Sequence, residues 1–346
     1  MNISISQFAI LGIAAFALTG LLTWPVRALA IRLGAMDVPN VARKTQPEPV
    51  PYLGGVAIAL GITVTTLLAL FVSDSSRVNI GIALSTLCPA VALGIVGLVD
   101  DFKSLMPWPR LVIQTSVGFF VSAYLAISGT RSLTFGNDLV DFFVTVVWVV
   151  GICNAINFFD NLDGAASGSV AVISAGLFIV SFLQGQEMVA ALSLVIAGAT
   201  MGFLIWNKSP AKIYMGDAGS LFLGVLVSVL TIRLDPNPLP QWKSLFLPVV
   251  LLAIPLLDTS VAVISRLLRG ISPFTGGRDH LSHRLLRAGL SRRVAAVSLW
   301  SASGACAVIA ILVYQYPDSM GSLLITAFGA LWLMALVLFL RTPSQD

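Results

Sequence analysis

The chain has 346 residues, of which 57% are apolar and 10% are charged, and its formal net charge is +4. Soluble domains average roughly 45–50% apolar and about 25% charged residues, so this composition excludes an ordinary soluble protein and indicates an integral membrane protein. The basic residues are dispersed among connecting segments without a dense basic tract, which argues against a nucleic-acid partner.

Apolar stretches close to the ~20 residues needed to cross a bilayer predict an all-α polytopic bundle. We expect about eleven transmembrane helices, with ten as the alternative, in one domain over residues 1–346. The first stretch has no basic segment before it, which favours a retained helix over a cleaved signal peptide. In chain order the predicted spans begin near Ile5, Gly54, Ile80, Arg110, Asp141, Gly168, Met188, Ala218, Leu245, Val294 and Gly321.

The loops between these spans divide the basic residues unevenly. One set of loops carries sixteen of the twenty Lys and Arg residues, and the other set carries four. Because Lys and Arg favour cytoplasmic loops, we predict that the first set is cytoplasmic, with the N-terminus outside and the C-terminus inside. The chemistry is then expected in the cytoplasmic segments 27–53, 100–110, 154–167, 207–220 and 266–293.

Acidic residues stand directly beside several apolar runs at these predicted cytoplasmic ends. A carboxylate near hydrocarbon costs ~2.5–3.5 kcal/mol and is usually kept for a function. Asp100 and Asp101 follow one run, although a solvated helix end explains that pair equally well. This pair alone therefore does not indicate a functional site, and its interpretation depends on the other polar groups near it.

A second polar group ends the apolar stretch that begins near Asp141. Asn154, Asn157, Asp160 and Asp163 recur every three or four positions, which predicts one shared helical face. Four amide and carboxylate groups are too many for a routine helix cap. This segment therefore indicates a binding or catalytic site.

A third group surrounds Asp217, which lies between Gly216 and Gly219 where the next apolar helix begins. Two interpretations are open for it. Asp217 could cap that helix, or the glycines could let a large anionic ligand approach the backbone.

Both histidines of the chain, His280 and His283, lie in a segment rich in arginine, with Arg278 and Arg284 beside them. Zinc is the weaker alternative, because no cysteine lies near and the acidic groups are distant in sequence. Arginine neighbours favour contacts with an anionic group. Together with the oxygen-rich helix ends, they predict a Mg²⁺–diphosphate site beside the bilayer, with a lipid as one substrate.

These segments resemble the polyprenyl-phosphate N-acetylhexosamine-1-phosphate transferases. That family includes the undecaprenyl-phosphate α-N-acetylglucosaminyl 1-phosphate transferases and phospho-N-acetylmuramoyl-pentapeptide-transferase. The resemblance covers most of the chain in family order. It is carried by residues 37–40, 43–44, 51–55, 100–101, 154–164, 202–224 and 279–285.

The resemblance implies a role for each of these polar groups. Asp217 and Asn157 are expected to hold Mg²⁺, or Mn²⁺ in its place, against the diphosphate of a UDP-sugar. Asp100 and Asp101 are expected to act beside the attacking lipid phosphate. The substrate-binding residues it implies are Lys44, Arg110, Asp160, Asp163, Arg278, His280 and His283.

The implied reaction moves a sugar-1-phosphate, with N-acetylglucosamine expected, from a UDP-N-acetylhexosamine to undecaprenyl or another polyprenyl phosphate and releases UMP. In the plasma membrane this would be the first membrane step of cell-envelope polysaccharide synthesis, as for lipopolysaccharide or teichoic acid. Departures from the family pattern at Thr45, Arg110, Asn161 and Ser282 leave the identity of the sugar open. The sequence also leaves open whether the protein forms a homodimer. The missing three-histidine run favours a simple N-acetylhexosamine over a muramyl-pentapeptide donor.

A polytopic secondary transporter is the alternative from another functional class. Transporters place their polar groups near mid-membrane, in helices broken at matching places of two halves. Here the charges gather at predicted cytoplasmic ends and no half-repeat is visible. The sequence therefore favours the transferase.

Overall fold

The computed structural model describes residues 3–39, 48–73, 75–129, 135–235 and 245–342. Within these ranges the chain is helical, as predicted, apart from one antiparallel pair of two-residue strands, β1 (Met36–Asp37) and β2 (Val50–Pro51). A π-helical turn, Pro317–Gly321, leads into the last helix. The helices are α1 (Ile5–Arg32), α2 (Gly54–Val72), α3 (Arg77–Lys103), α4 (Pro107–Ile127), α5 (Asp138–Phe159), α6 (Ala165–Leu183), α7 (Glu187–Asn207), α8 (Gly216–Ile232), α9 (Phe246–Leu251), α10 (Ala253–Leu268), α11 (Leu281–Arg287), α12 (Arg292–Gln315) and α13 (Ser322–Arg341).

Nine helices in the described ranges are long and apolar enough to cross a membrane. They are α1 to α7, α12, and α13 together with its π-helical turn. The number of spans, predicted as eleven or ten, is thus matched by nine candidates, and the total stays a prediction. A further predicted span corresponds to α8, a shorter apolar helix of 17 residues that rises ~25 Å at 1.5 Å per residue. The sidedness of the helix ends stays a prediction.

The remaining predicted span begins near Leu245, and the structure divides it into α9 and α10 at Leu252. The physical cause is Pro255 in the first turn of α10. Proline has no N–H to donate to the carbonyl four residues earlier, here that of Leu251, and its ring clashes with that group. A continuous helix is thus replaced by two short ones.

Helix α8 lies at the centre of the bundle, and all its residues from Ala218 to Ile232 are buried. Its first turn is in backbone contact with two other helices because those helices carry glycines there. A Cβ atom on Gly97 of α3 would stand 2.3 Å from the Asp217 carbonyl oxygen, and one on Gly55 of α2 would stand 2.1 Å from the Gly219 nitrogen. Small residues permit such close helix packing in membranes, and here they place Asp217 at a junction of helices.

Candidate active site

Arg110 joins two of the predicted acidic segments. Its Nη1 atom lies 2.9 Å from Asp100 Oδ2 and 3.2 Å from Asp217 Oδ2. Arg110 stands in the first turn of α4, which Pro107 begins, while Asp100 is near the end of α3 and Asp217 is in the first turn of α8. The end of α3 and the first turn of α4 therefore meet the start of α8, which is more than 100 residues later in the sequence.

Asn157, in the last turn of α5, adds a fourth segment to this point. Its Nδ2 atom donates to Asp217 Oδ1 at 2.7 Å and to Ser220 Oγ at 2.9 Å. One oxygen of Asp217 therefore faces Asn157 and the other faces Arg110, which fixes the plane of this carboxylate. We call Asp100, Arg110, Asn157, Asp160 and Asp217 the acidic junction.

Asp101 has a different role from Asp100, its neighbour in sequence. Its carboxylate accepts hydrogen bonds from the backbone nitrogens of Asp217 at 2.8 Å and Ala218 at 3.1 Å. These N–H groups have no partner within α8, so Asp101 caps this helix from outside it. The cap considered for Asp217 is thus supplied by Asp101.

The glycines beside Asp217 make room for protein rather than for a ligand. Gly216 has φ +68°, and a Cβ atom there would lie 2.6 Å from an oxygen of Asp101. Gly219 contacts Gly55, as a Cβ atom on Gly219 would lie 2.9 Å from its Cα. The close approach expected of a large anionic ligand is therefore occupied by the Asp101 cap and by α2.

Asp100 is also engaged by the protein. Its second oxygen accepts from the Leu105 nitrogen at 2.6 Å, and its side chain is 6% exposed. The two aspartates therefore contact different groups, one on Arg110 and one on α8. A chemical role of either beside a lipid phosphate stays a prediction.

Asp160 is the third carboxyl group of the junction. It is the C-cap residue of α5. Removal from water, together with the charges of Asp217, Asp101 and Asp163, raises the pKa of Asp160 to about 8. The junction thus combines three carboxyl groups with one guanidinium, and a bound cation would favour the ionised form of Asp160.

Asp163 joins the acidic segment to the loop before α8. Its Oδ2 atom accepts from the Ala211 nitrogen at 3.2 Å and lies 3.9 Å from Arg292 Nη1. Burial and this carboxylate raise the pKa of Tyr214 in the same loop. Asp163 therefore joins the end of α5 to the loop before α8 and to α12. Its direct contact with a nucleotide stays a prediction.

Residues 269–291, between α10 and α12, form what we call the histidine loop. His280 Nδ1 lies 2.7 Å from Asp258 Oδ2, and its Nε2 lies 3.2 Å from Arg266 Nη2. His283 stands beside it, with ring centroids 6.4 Å apart, and burial lowers the pKa of His283 to about 4. Both nitrogens of His280 thus contact protein groups, while His283 is neutral at physiological pH.

The histidine loop reaches the acidic segment at the end of α5. Ser282 Oγ hydrogen-bonds Asn161 Oδ1, and the His280 ring meets the Phe158 ring edge-on with centroids 6.0 Å apart. Arg278 belongs to this loop, and its carbonyl accepts from Arg287 Nη1 at 3.4 Å. Its expected contact with substrate stays a prediction, and Lys44 lies outside the described residues.

Sequence reasoning missed Asp258, which is fully buried in α10. The signal was present, since Asp258 is an acid inside an apolar stretch, the same feature that drew attention to Asp100 and Asp217. It also missed Ser220, which shares the amide of Asn157 with Asp217. A lone serine one turn into an apolar helix gave no comparable signal.

Comparison with known proteins addresses the family. The sequence model described as glycosyl transferase family 4 matches residues 82–235. The "probable undecaprenyl-phosphate N-acetylglucosaminyl 1-phosphate transferase" of Bacillus subtilis is 32% identical over 294 residues, which are 82% of this chain and 78% of the relative. The chain belongs to glycosyl transferase family 4. This assignment confirms the predicted family and replaces the transporter alternative.

Two further relatives of this family 4 chain are also named as transferases. The decaprenyl-phosphate N-acetylglucosaminephosphotransferase of Mycolicibacterium smegmatis is 30% identical over 334 residues, 86% of this chain and 80% of the relative. The phospho-N-acetylmuramoyl-pentapeptide-transferase of Streptococcus thermophilus is 30% identical over 260 residues, 70% of this chain and 75% of the relative. The family 4 segment contains the whole acidic junction.

Proposed function

We propose that this family 4 transferase moves N-acetylglucosamine-1-phosphate from UDP-N-acetylglucosamine to undecaprenyl phosphate and releases UMP. The observation that carries the proposal is the acidic junction, where Arg110 lies between Asp100 and Asp217. The sugar rests on the names of the Bacillus and Mycolicibacterium relatives, which align with more of the chain than the pentapeptide transferase does.

In the proposed reaction a phosphate oxygen of the lipid attacks the β-phosphorus of the UDP-sugar. A new P–O bond forms to the lipid, and the bond from the β-phosphorus to the bridging oxygen breaks, so that UMP leaves with that oxygen. A phosphate monoester has a second pKa of about 6, so the acceptor is mostly dianionic at neutral pH. The site therefore needs to position charge more than to remove a proton.

The donor groups of the junction fit Mg²⁺. This ion takes oxygen ligands and uses one or two carboxylates, completing its shell with substrate phosphates and water. Asp217 offers a carboxylate that is 33% exposed, and Asn157, whose amide nitrogen is turned to Asp217, has its amide oxygen left for a cation. Among the described residues no group of three or more His, Cys, Asp or Glu side chains could hold a metal ion. The remaining ligands of Mg²⁺ would therefore be substrate oxygens and water. When bound, Mg²⁺ would spread the negative charge of the diphosphate.

Arg110, Asp100 and Asp160 then have complementary roles. Arg110 is the cation of the junction, and its guanidinium can turn from Asp217 to an incoming phosphate with bidentate geometry. Asp100 keeps Arg110 in place during that exchange, because its own contact with Leu105 is independent of substrate. Asp160, with its pKa raised to about 8, gains a partner once cationic charge enters.

We place this site at the cytoplasmic face of the plasma membrane. Nine helices qualify as membrane spans, and the loops that bear the junction are those enriched in Lys and Arg. UDP-sugars are cytoplasmic, and the product would start a cell-envelope polysaccharide. Cysteine labelling from either side of intact cells would check this orientation.

The test of the proposed function is a donor panel with detergent-purified protein and undecaprenyl phosphate. UDP-N-acetylglucosamine, UDP-N-acetylgalactosamine and UDP-N-acetylmuramyl-pentapeptide are compared for lipid-linked product by mass spectrometry. We expect the N-acetylglucosamine donor to give product at least tenfold faster than the others. Equal or faster turnover of the pentapeptide donor would overturn the assignment of the sugar.

A further inference from the structure

Asp258 has no role in the reaction described above, although it is a carboxylate with 0% exposure. Its two oxygens are both used. Oδ2 lies 2.7 Å from His280 Nδ1, and Oδ1 accepts from the Leu281 backbone nitrogen at 2.7 Å. Asp258 thus holds both the side chain that precedes α11 and the first N–H group of that helix, which would otherwise lack a partner.

The second ring nitrogen of His280 decides where the proton lies. Nε2 is 3.2 Å from Arg266 Nη2, and a guanidinium carries only N–H donors. Nε2 must therefore accept this hydrogen bond with its lone pair. The ring proton is then on Nδ1 and is donated to Asp258, which makes His280 a neutral ring of defined tautomer.

Arg266 cannot easily turn away to permit another arrangement. Its Nε atom donates to Asp279 Oδ2 at 2.9 Å and its Nη1 atom to the Pro273 carbonyl at 2.8 Å. Arg266, Asp279 and His280 are each less than 10% exposed. A second proton on His280 would place two donors face to face in this dry region, with no acceptor between them.

The ring of His280 also contacts the last turn of α5. Its edge-on contact is with Phe158, and the Arg266 guanidinium lies 5.6 Å from the centroid of the same Phe158 ring. Phe158 directly follows Asn157, the residue that fixes Asp217. Phe158 therefore connects the ring of His280 to the residue next to Asn157.

We propose that Asp258 is a positioning residue which holds His280 as the neutral Nδ1–H tautomer and thereby docks the histidine loop on the end of α5. His280 then acts as an acceptor toward Arg266, not as a donor to an anionic group. The consequence for catalysis rests on the proposed function, whereas the tautomer does not. The two can therefore fail separately.

The chain contains only two histidines, so protein labelled with ¹⁵N-histidine and purified without a polyhistidine tag gives two imidazole patterns. Long-range ¹H–¹⁵N correlations distinguish a protonated from an unprotonated ring nitrogen, and His283→Gln assigns the remaining ring. We expect His280 to show a protonated Nδ1 and an unprotonated Nε2. An imidazolium or an Nε2–H ring in the wild-type protein would overturn the proposal, whatever the activity.

The decisive variant is Asp258→Asn, which has one acceptor for two donors and should lose the wild-type His280 pattern. Asp141→Asn is the matched control, because Asp141 is also buried but accepts from the Phe135 nitrogen beside the first turn of α5, far from the histidines. An unchanged His280 pattern in Asp258→Asn would also overturn the proposal. If Asp258→Asn does not fold, the wild-type spectrum still decides the tautomer.

Activity supplies an independent comparison through two replacements of His280. The amide of His280→Asn can donate to Asp258 as Nδ1 does, whereas His280→Gln places its amide near Arg266 instead. We expect His280→Asn to keep at least fivefold more kcat/KM than His280→Gln, and Asp258→Asn to lose about tenfold to a hundredfold through misplacement. The reverse order of the two His280 variants would contradict the proposal. Inactivity of all proteins with the expected spectra would count against the proposed function alone.

Discussion

The acidic junction and the histidine loop use similar side chains in opposite ways. In the junction Arg110 is 19% and Asp217 33% exposed, while Asp100 is 6% exposed. In the anchor of the histidine loop, Arg266 and Asp279 are both 3% exposed, and their polar contacts are with the protein. Open, unevenly charged groups can bind and transform a substrate, whereas closed and matched groups fix a conformation.

The acidic junction and the histidine loop also differ in their balance of charges. The carboxylates of the junction outnumber Arg110, and the pKa of Asp160 rises to about 8. In the loop the pKa of His283 falls to about 4, because burial and neighbouring cations disfavour a further positive charge. The junction therefore favours a second cation, whereas the loop disfavours a further positive charge. Substitutions in the two regions should differ accordingly, in activity for the first and in stability for the second.

Asp217→Asn is expected to have the largest effect. It removes the charge that Arg110 and Asn157 hold in place, and with it the proposed metal ligand. We expect kcat to fall roughly 10³-fold with little change in thermal stability. UMP release measures the first and a melting curve in detergent the second. A loss below tenfold would break the contrast between the two regions.

Arg110→Gln should have the next largest effect. It leaves Asp100 without its cation, and we expect kcat/KM to fall about 10²-fold. Arg110→Lys keeps the charge but not the planar fork, and should retain roughly a tenth of the activity. Steady-state kinetics with UDP-N-acetylglucosamine separates them. Equal losses in both variants would show that charge at this position is unimportant.

Asp160→Asn tests the charge imbalance through stability. The folded-state pKa is raised to about 8 from an ordinary value near ~3.9, so folding disfavours ionisation and costs stability increasingly as pH rises between these values. The variant should therefore be more stable than wild type in EDTA, by about 1–2 kcal/mol at pH 8 and less at pH 5, while losing activity. A gain that is independent of pH would contradict this account.

His283 should give the opposite pH dependence in the loop. Because its folded pKa is lowered to about 4, the unfolded chain takes up a proton near pH 6.5 and the folded chain does not. Stability is then lost as pH falls from about 7 to 5, by about 1 kcal/mol for this partly buried ring. His283→Gln should flatten that slope in melting curves. An identical slope would assign it to other groups.

Asn161 and Ser282 offer the smallest effect, at the contact between the two regions. A double-mutant cycle with Asn161→Ala and Ser282→Ala should give a coupling energy of about 1 kcal/mol, because one hydrogen bond is shared. Thermal unfolding of the four proteins supplies the cycle. Strict additivity would show that the loop does not depend on this contact.

The sequence predicted most of the acidic junction because its residues share a local signal. Each acid or amide is polar beside an apolar run, whereas Arg110 was indicated only by the resemblance to the transferase family. Local patterns do not show which partner a side chain meets, however. Asp100 and Asp101 look equivalent in the sequence, but one binds Arg110 and the other caps α8.

The fold was predicted less completely, for a related reason. Apolar length alone does not reveal that Pro255 divides one span into α9 and α10, since prolines within α1 and α3 leave those helices continuous. Asp258 carried the same local signal as the junction acids, but its contacts with His280 and Leu281 were not evident from the sequence. Its role depends on how the histidine loop returns to α10, which only the folded chain determines.

The most direct test of the transferase account is UMP release from UDP-N-acetylglucosamine by the purified protein, with and without undecaprenyl phosphate and Mg²⁺. Wild type, Asp217→Asn and the buried control Asp141→Asn are assayed together. The account predicts release that needs both lipid and Mg²⁺, persists in Asp141→Asn and is lost in Asp217→Asn. Release without lipid, or equal release from Asp217→Asn, would contradict it.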